Sequence, residues 1–161
     1  KRLNSKKLKI DENSILIIRG CGPVGYPGSA EVINMQPPDK LLKKGINTLP
    51  TLGDGRQSGT SASPSILHVS PESAVGGDLG IVKTGDKIKI DLNKRRVDLL
   101  ISQSEFKNRR KKRKKFKINN QTPWQEIFRD TVGQLEDGAC IKSRGVYLKV
   151  STSKGIPRNS H

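Results

Sequence analysis

The junction "ILIIRGCGPVGYPGSAE", residues 15–31, constrains the fold more than any other stretch of the chain. "ILIIR" is a continuous apolar run bounded by polar residues and glycine, the pattern of a strand buried on both faces. It leads into four glycines and two prolines within nine residues, Gly20 to Gly28. That density excludes helix and strand and lets the backbone approach a ligand closely. A second loop, "GDGRQSGTSAS" from Gly53 to Ser63, follows the short strand expected in "TLPTLGD". Both loops therefore follow strands and can lie at the same end of one sheet.

The remaining elements are local readings. "PPDKLLKKG" predicts a short helix with proline in its first turn and Gly45 as its stop. "ILHVS" predicts a strand and "PESAVGG" a helical turn closed by glycines. In "LGIVKTGDKIKIDLNKRRVDLLIS" the apolar residues Ile88, Ile90 and Leu92 alternate with polar ones, as do Val97, Leu99 and Ile101, which predicts antiparallel hairpins with one wet face. Ser102 with Glu105 fits a capping box that opens a short helix. "TPWQEIFRDTVGQL" offers Thr122 as N-cap, Pro123 at N1 and Gln125 at N3. Trp124, Ile127, Phe128 and Leu135 share one stripe, so this helix is expected to dock by its aromatic face. One strand-like run remains in "GVYLKVSTSKGIPRNSH".

Composition sets the scale. The 161 residues suit one domain. With hydrophobics at 32% and aromatics at 4%, the core must be modest and built from Ile, Leu and Val. We divide the chain into a core with both loops (1–105), a basic linker (106–121), and a C-terminal helix and strand packing back on the core (122–161). Two cysteines, Cys21 and Cys140, are too few for a disulfide framework and indicate a reducing compartment. The longest apolar run is far too short to span a bilayer, so a cytoplasmic protein without a membrane partner is expected. Lacking an initiator Met, the chain reads as a piece of something longer. The net charge of +16 invites nucleic acid as a partner, but much of the excess lies in "KNRRKKRKKFK", Lys107 to Lys117, and such blocks are usually solvated and flexible.

Several side chains are candidates for chemistry. A lone glutamate is more often a solvated surface group, yet Glu31 follows a glycine-rich loop entered from a buried strand, where ligands to hard cations such as Mg²⁺ occur. Ser58 lies in "RQSGTSAS". Serine-rich loops are usually turns, and His68 and Asp54 near it in sequence are weak evidence for a triad. The loop also has the character of an anion cradle but lacks the G-x-x-x-x-G-K-[ST] pattern of a nucleotide loop. His68, between Leu67 and Val69, reads as a satisfied, partly buried histidine. Cys21 reads as a buried or incidental thiol, and Asp54 and Arg56 as a pair that braces the loop.

Three separated motifs, "RGCGPVGYPGSAEV", "GDGRQSGTSASPSILHVSPESAVGGDLGIVKTGDKIKIDL" and "TPWQEIFRDTVGQL", together with the ending "GIPRNSH", resemble the C-terminal domain of the dihydroxy-acid and sugar-acid dehydratase family. The forms "GYPGSAEV" and "TPWQEIF" are more similar to the pentonate (arabinonate or xylonate) branch. The resemblance implies a mixed α/β, β-rich fold: a swivelling-type β-barrel flanked by helices. It implies a hydro-lyase that removes water from a sugar acid (a 2,3-dihydroxy acid) to leave a 2-keto-3-deoxy acid, using Mg²⁺ and an iron–sulfur cluster. By the same resemblance Ser58 matches the base, Glu31 a Mg²⁺ ligand and Thr60 a substrate contact. The cluster ligands belong to an N-terminal dehydratase domain, and Cys21 and Cys140 do not match them. A homo-oligomer, dimer or tetramer, is implied for the complete enzyme. The rival readings are a basic nucleic-acid-binding module and an inactive dehydratase remnant.

Overall fold

The computed structural model describes residues 3–5, 7–29, 36–56, 63–119 and 121–142. Glu31, Ser58 and Thr60 lie outside the described residues, as does the strand-like run that begins at Gly145. Strands β1 (Leu16–Ile18), β2 (Thr51–Gly53) and β3 (Ser65–Ile66) form a parallel sheet in that order, with Leu16 opposite Thr51 and Leu52 opposite Ile66. Parallel neighbours need a crossover. Between β1 and β2 it carries α1 (Asp39–Leu42), which is N-capped by Pro38 and buries Leu41.

Central β2 is buried throughout, whereas in β1 only Leu16 is fully buried, so the first strand is shorter and less enclosed than its apolar run suggests. Ile10, Leu16, Leu41 and Leu49 form the principal core cluster, with Leu3, Leu8 and Ile46 packed against it. Leu52, Leu79, Ile81 and Val132 complete the buried apolar set among the described residues, all of it Ile, Leu and Val as composition requires.

A separate antiparallel hairpin joins β4 (Ile88–Asp91) to β5 (Arg96–Leu99), with Ile88 opposite Leu99 and Ile90 opposite Val97. Leu92 departs from the expected alternation. It sits in the turn, 80% exposed, because the chain reverses there: Asp91 Oδ1 accepts the Lys94 N–H at 3.0 Å and Arg95 takes a φ of 51°. A 3-10 turn at Ser73–Val75 ends at Gly76, and a second spans Asp78–Ile81. Mixed α/β architecture is therefore present. Among the described residues the two sheets remain separate and no closed barrel is formed.

Helix α2 (Gln103–Lys111) starts where Ser102 Oγ accepts the Glu105 N–H at 3.2 Å. The first residues of the basic run continue this helix. Helix α3 (Pro123–Thr131) starts where Thr122 Oγ1 accepts the Gln125 N–H at 3.3 Å. Its docking reverses the expectation. Trp124, Ile127 and Phe128 are 78%, 53% and 38% exposed, while Arg129 is only 7% exposed. The reason lies in hydrogen bonding: the Arg129 guanidinium reaches carbonyls of the glycine-rich loop, and those partners, more than apolarity, decide which face turns inward.

Candidate active site

Because β1 and β2 run parallel, their carboxyl ends lie side by side, the usual place for ligands in open parallel sheets. The Asp54 N–H donates to Ile18 O at 3.4 Å across this junction. Both glycine-bearing loops thus leave from one end, as the sequence indicates.

Asp54 ties them together. Fully buried, it accepts from Gly20 N at 3.0 Å and Cys21 N at 3.0 Å in the first loop. It also accepts Ser73 N at 2.9 Å and the Ser73 hydroxyl. A buried carboxylate is costly unless donors surround it, and four do here. Asp54 therefore braces the loop through backbone N–H groups, a role wider than the expected pairing with Arg56.

Glu72, also fully buried, does the same further along. Its Oε1 accepts Val24 N and its Oε2 accepts Gly25 N, both at 2.8 Å. Gln134 holds it in place, donating from Nε2 to Oε1 at 2.9 Å while its own Oε1 accepts the Glu72 N–H at 3.0 Å. The glycines answer to this carboxylate. A Cβ at Gly22 would collide with the Glu72 side chain, and one at Gly25 would come within 2.7 Å of Gly20 O. Glu72, Arg129 and Gln134 are the loop-bracing residues that sequence reading missed. The available signal was the loop itself: irregular backbone leaves N–H and C=O groups that buried polar side chains must satisfy.

A cavity of about 460 Å³ opens beside these braces, lined by Cys21, Tyr26, Asp54, Arg56, His68 and Phe128 among others. His68 is exposed there, not partly buried as the sequence suggests. Its φ of 56° and a 3.3 Å bond from its N–H to Gly55 O turn the chain so that the ring is not enclosed between Leu67 and Val69. Burial, and secondarily the Asp54 carboxylate, push the Cys21 thiol above its ordinary value against an opposing hydrogen bond with Ser29.

The described residues do not fit an iron–sulfur cluster. Two cysteines, Cys21 and Cys140, fall short of the usual ligand set, and Cys21 is biased towards the protonated form that binds metal poorly. Among the described residues no three His, Cys, Asp or Glu side chains converge as a metal site, and Asp54 and Glu72 accept backbone N–H groups. Also among them, no helix is long and apolar enough to cross a membrane.

Comparison with known proteins places this chain in a class. Residues 1–139 match the family described as "Dihydroxy-acid/6-phosphogluconate dehydratase C-terminal", and the chain belongs to that family, as its C-terminal domain. More particularly, it is 52% identical over its full length to D-xylonate dehydratase of Caulobacter vibrioides, covering 27% of that protein. Over 67% of its length it is 50% identical to L-arabinonate dehydratase of Rhizobium leguminosarum bv. trifolii, covering 19% of it. Dihydroxy-acid dehydratase of Thermodesulfovibrio yellowstonii is 40% identical over 83% of the chain, which covers 24% of that relative. These matches agree with the pentonate branch. The chain spans about a quarter of the length of such curated relatives.

Proposed function

We propose that this chain is the C-terminal domain of a cytoplasmic hydro-lyase that dehydrates a sugar acid, a pentonate, to its 2-keto-3-deoxy acid. In this reading the Ser58 alkoxide takes the proton from C2, Thr60 contacts the substrate and Glu31 is a Mg²⁺ ligand. The C3–O bond breaks as the C2–C3 double bond forms, the departing hydroxide gains a proton to leave as water, and the resulting enol tautomerises to the 2-keto acid. Bound Mg²⁺ supplies stabilisation of the negative charge that develops on the substrate as C2 loses its proton. Cluster ligands and the rest of the site come from an N-terminal domain, and the complete enzyme is a dimer or tetramer. With further strands the short sheets belong to a swivelling-type barrel.

The observation that carries this reading is the cross-tie at Asp54. It brings together the stem of the loop that runs on to Glu31 and the stem of the loop that runs on to Ser58 four residues later. Ser58→Ala in the full-length polypeptide that contains this chain tests the proposal. D-xylonate turnover should fall at least about a hundredfold, the lower range for a lost general base, with the fold intact. Near-normal turnover removes Ser58 from the mechanism. Glu31→Gln should weaken Mg²⁺ binding, measured by titration, because a neutral amide replaces an anionic oxygen. Expressed alone, the 161 residues should fold yet neither turn over a pentonate nor bind stoichiometric iron and sulfide.

A further inference from the structure

The Val24–Gly25 segment, in the middle of the glycine-rich loop, is gripped from two sides by opposite charges. Glu72 accepts both of its N–H groups at 2.8 Å. Arg129 donates to both of its carbonyls, from Nε to Val24 O at 2.8 Å and from Nη2 to Gly25 O at 3.4 Å. Neither charged side chain is accessible, at 0% and 7% exposure. Each is anchored in turn, Glu72 by Gln134 and Arg129 by a bond to Asn119 O at 3.3 Å. All four backbone polar groups of two successive residues are thus satisfied by two side chains far away in the sequence.

Burying a carboxylate and a guanidinium is an expensive way to hold a loop, since apolar anchors of similar volume do it as well or better for stability alone. What the charged arrangement adds is geometry: hydrogen bonds fix the peptide plane, which apolar contact does not. We infer that Glu72 and Arg129 are positioning residues for the dehydration, a clamp that sets the plane of the Val24–Gly25 peptides and so the course of the loop leading to Glu31. This rests on the dehydratase reading above. Asp54 holds the stem of the same loop, so the clamp acts on a segment already fixed at one end.

The test uses the full-length polypeptide with D-xylonate as the probe. Glu72→Gln preserves shape, but its amide must turn an NH₂ towards one of two N–H donors. It should lower kcat at least about tenfold, within the range that small misplacements cost. KM should stay within about twofold, a split that a merely structural defect does not produce in the protein that remains folded. Arg129→Lys, which can restore one donor, should recover part of the kcat lost in Arg129→Met. Should Glu72→Gln not fold, the Lys and Met pair carries the test. Arg109→Met, on α2 and away from the loop, serves as a destabilised control and should keep kcat within about twofold. Folded Glu72→Gln, or Arg129→Met, with kcat within about twofold of the parent overturns the inference. Amide hydrogen exchange at Val24 and Gly25 identifies the cause: protection lost with kcat retained means the clamp exists but does not position the reaction. An inactive parent, or Ser58→Ala with normal turnover, overturns the dehydratase reading and this inference with it.

Discussion

Helices α2 and α3 have the same nine-residue length and the same kind of hydroxyl N-cap, yet arginines hold them to the rest of the molecule in opposite ways. On α2 no residue is buried. Arg109 meets Asp86 at 2.6 Å, largely enclosed, and Glu105 at 2.7 Å, and Arg110 meets Asp78 at 2.7 Å at the surface. Arg113, just beyond, donates to Gly76 O. On α3 the one buried residue, Arg129, donates to carbonyls of the candidate active-site loop, and the apolar residues beside it face outward. Charge pairs carboxylate directly to guanidinium in the first case and orders backbone in the second. Of the α2 pairs, Arg110–Asp78 is exposed and contributes little to stability, whereas the largely enclosed Arg109–Asp86 pair and the buried donors of Arg129 leave unsatisfied groups behind when removed. The basic run is thus partly engaged with the protein's own carboxylates, and the arginine that grips the glycine-rich loop lies outside it.

Arg129→Met should separate the helices most clearly. Carbonyls of Val24, Gly25 and Asn119 lose a donor, so the loss should be about 1–3 kcal/mol or more by denaturant titration. Arg110→Met should cost visibly less under the same conditions, because its pair with Asp78 is exposed, and equal losses would break the contrast.

The caps come next in size. Ser102→Ala and Thr122→Ala should each cost about 1 kcal/mol, because each hydroxyl satisfies one N–H at a helix start. Similar values would show that the helices differ in docking and not in their own stability.

Acid sharpens the difference further. The Arg109 guanidinium holds the Asp86 carboxyl below its usual range, and does the same for Glu105. A depressed folded value means that the stabilisation is complete above the unfolded carboxylate range, near about pH 4, and is lost as pH falls through the lowered folded value. The difference in melting temperature between the parent and Asp86→Asn should therefore be largest near neutrality and close in acid. A difference that grows as pH falls has the wrong sign for this ion pair.

The smallest effect is expected at Trp124, the chain's single tryptophan. With 78% of it exposed, Trp124→Ala should change stability by less than about 0.5 kcal/mol. Its fluorescence in the isolated chain should be readily quenched by acrylamide. A buried, unquenched signal would mean that the aromatic face of α3 docks within this chain after all.

What the sequence determined by itself were features whose cause lies within a few residues. Ser102 and Thr122 cap helices through N–H groups three residues on, the alternation from Ile88 builds the hairpin, and Gly20 to Gly28 stay irregular. The paired loop exits followed from two apolar runs that each end in glycine, and the three motifs pointed to the family. Only tertiary structure decided the rest. Asp54 meets Gly20 across 34 positions, Glu72 meets Gly25 across 47, and Arg129 meets Val24 across 105. A pattern of apolar spacing records which face of a helix avoids water; it carries no record of which distant carbonyl needs a donor. Hence the stripe on α3 named Trp124 as the docking residue, and the unsatisfied backbone of a glycine-rich loop selected Arg129.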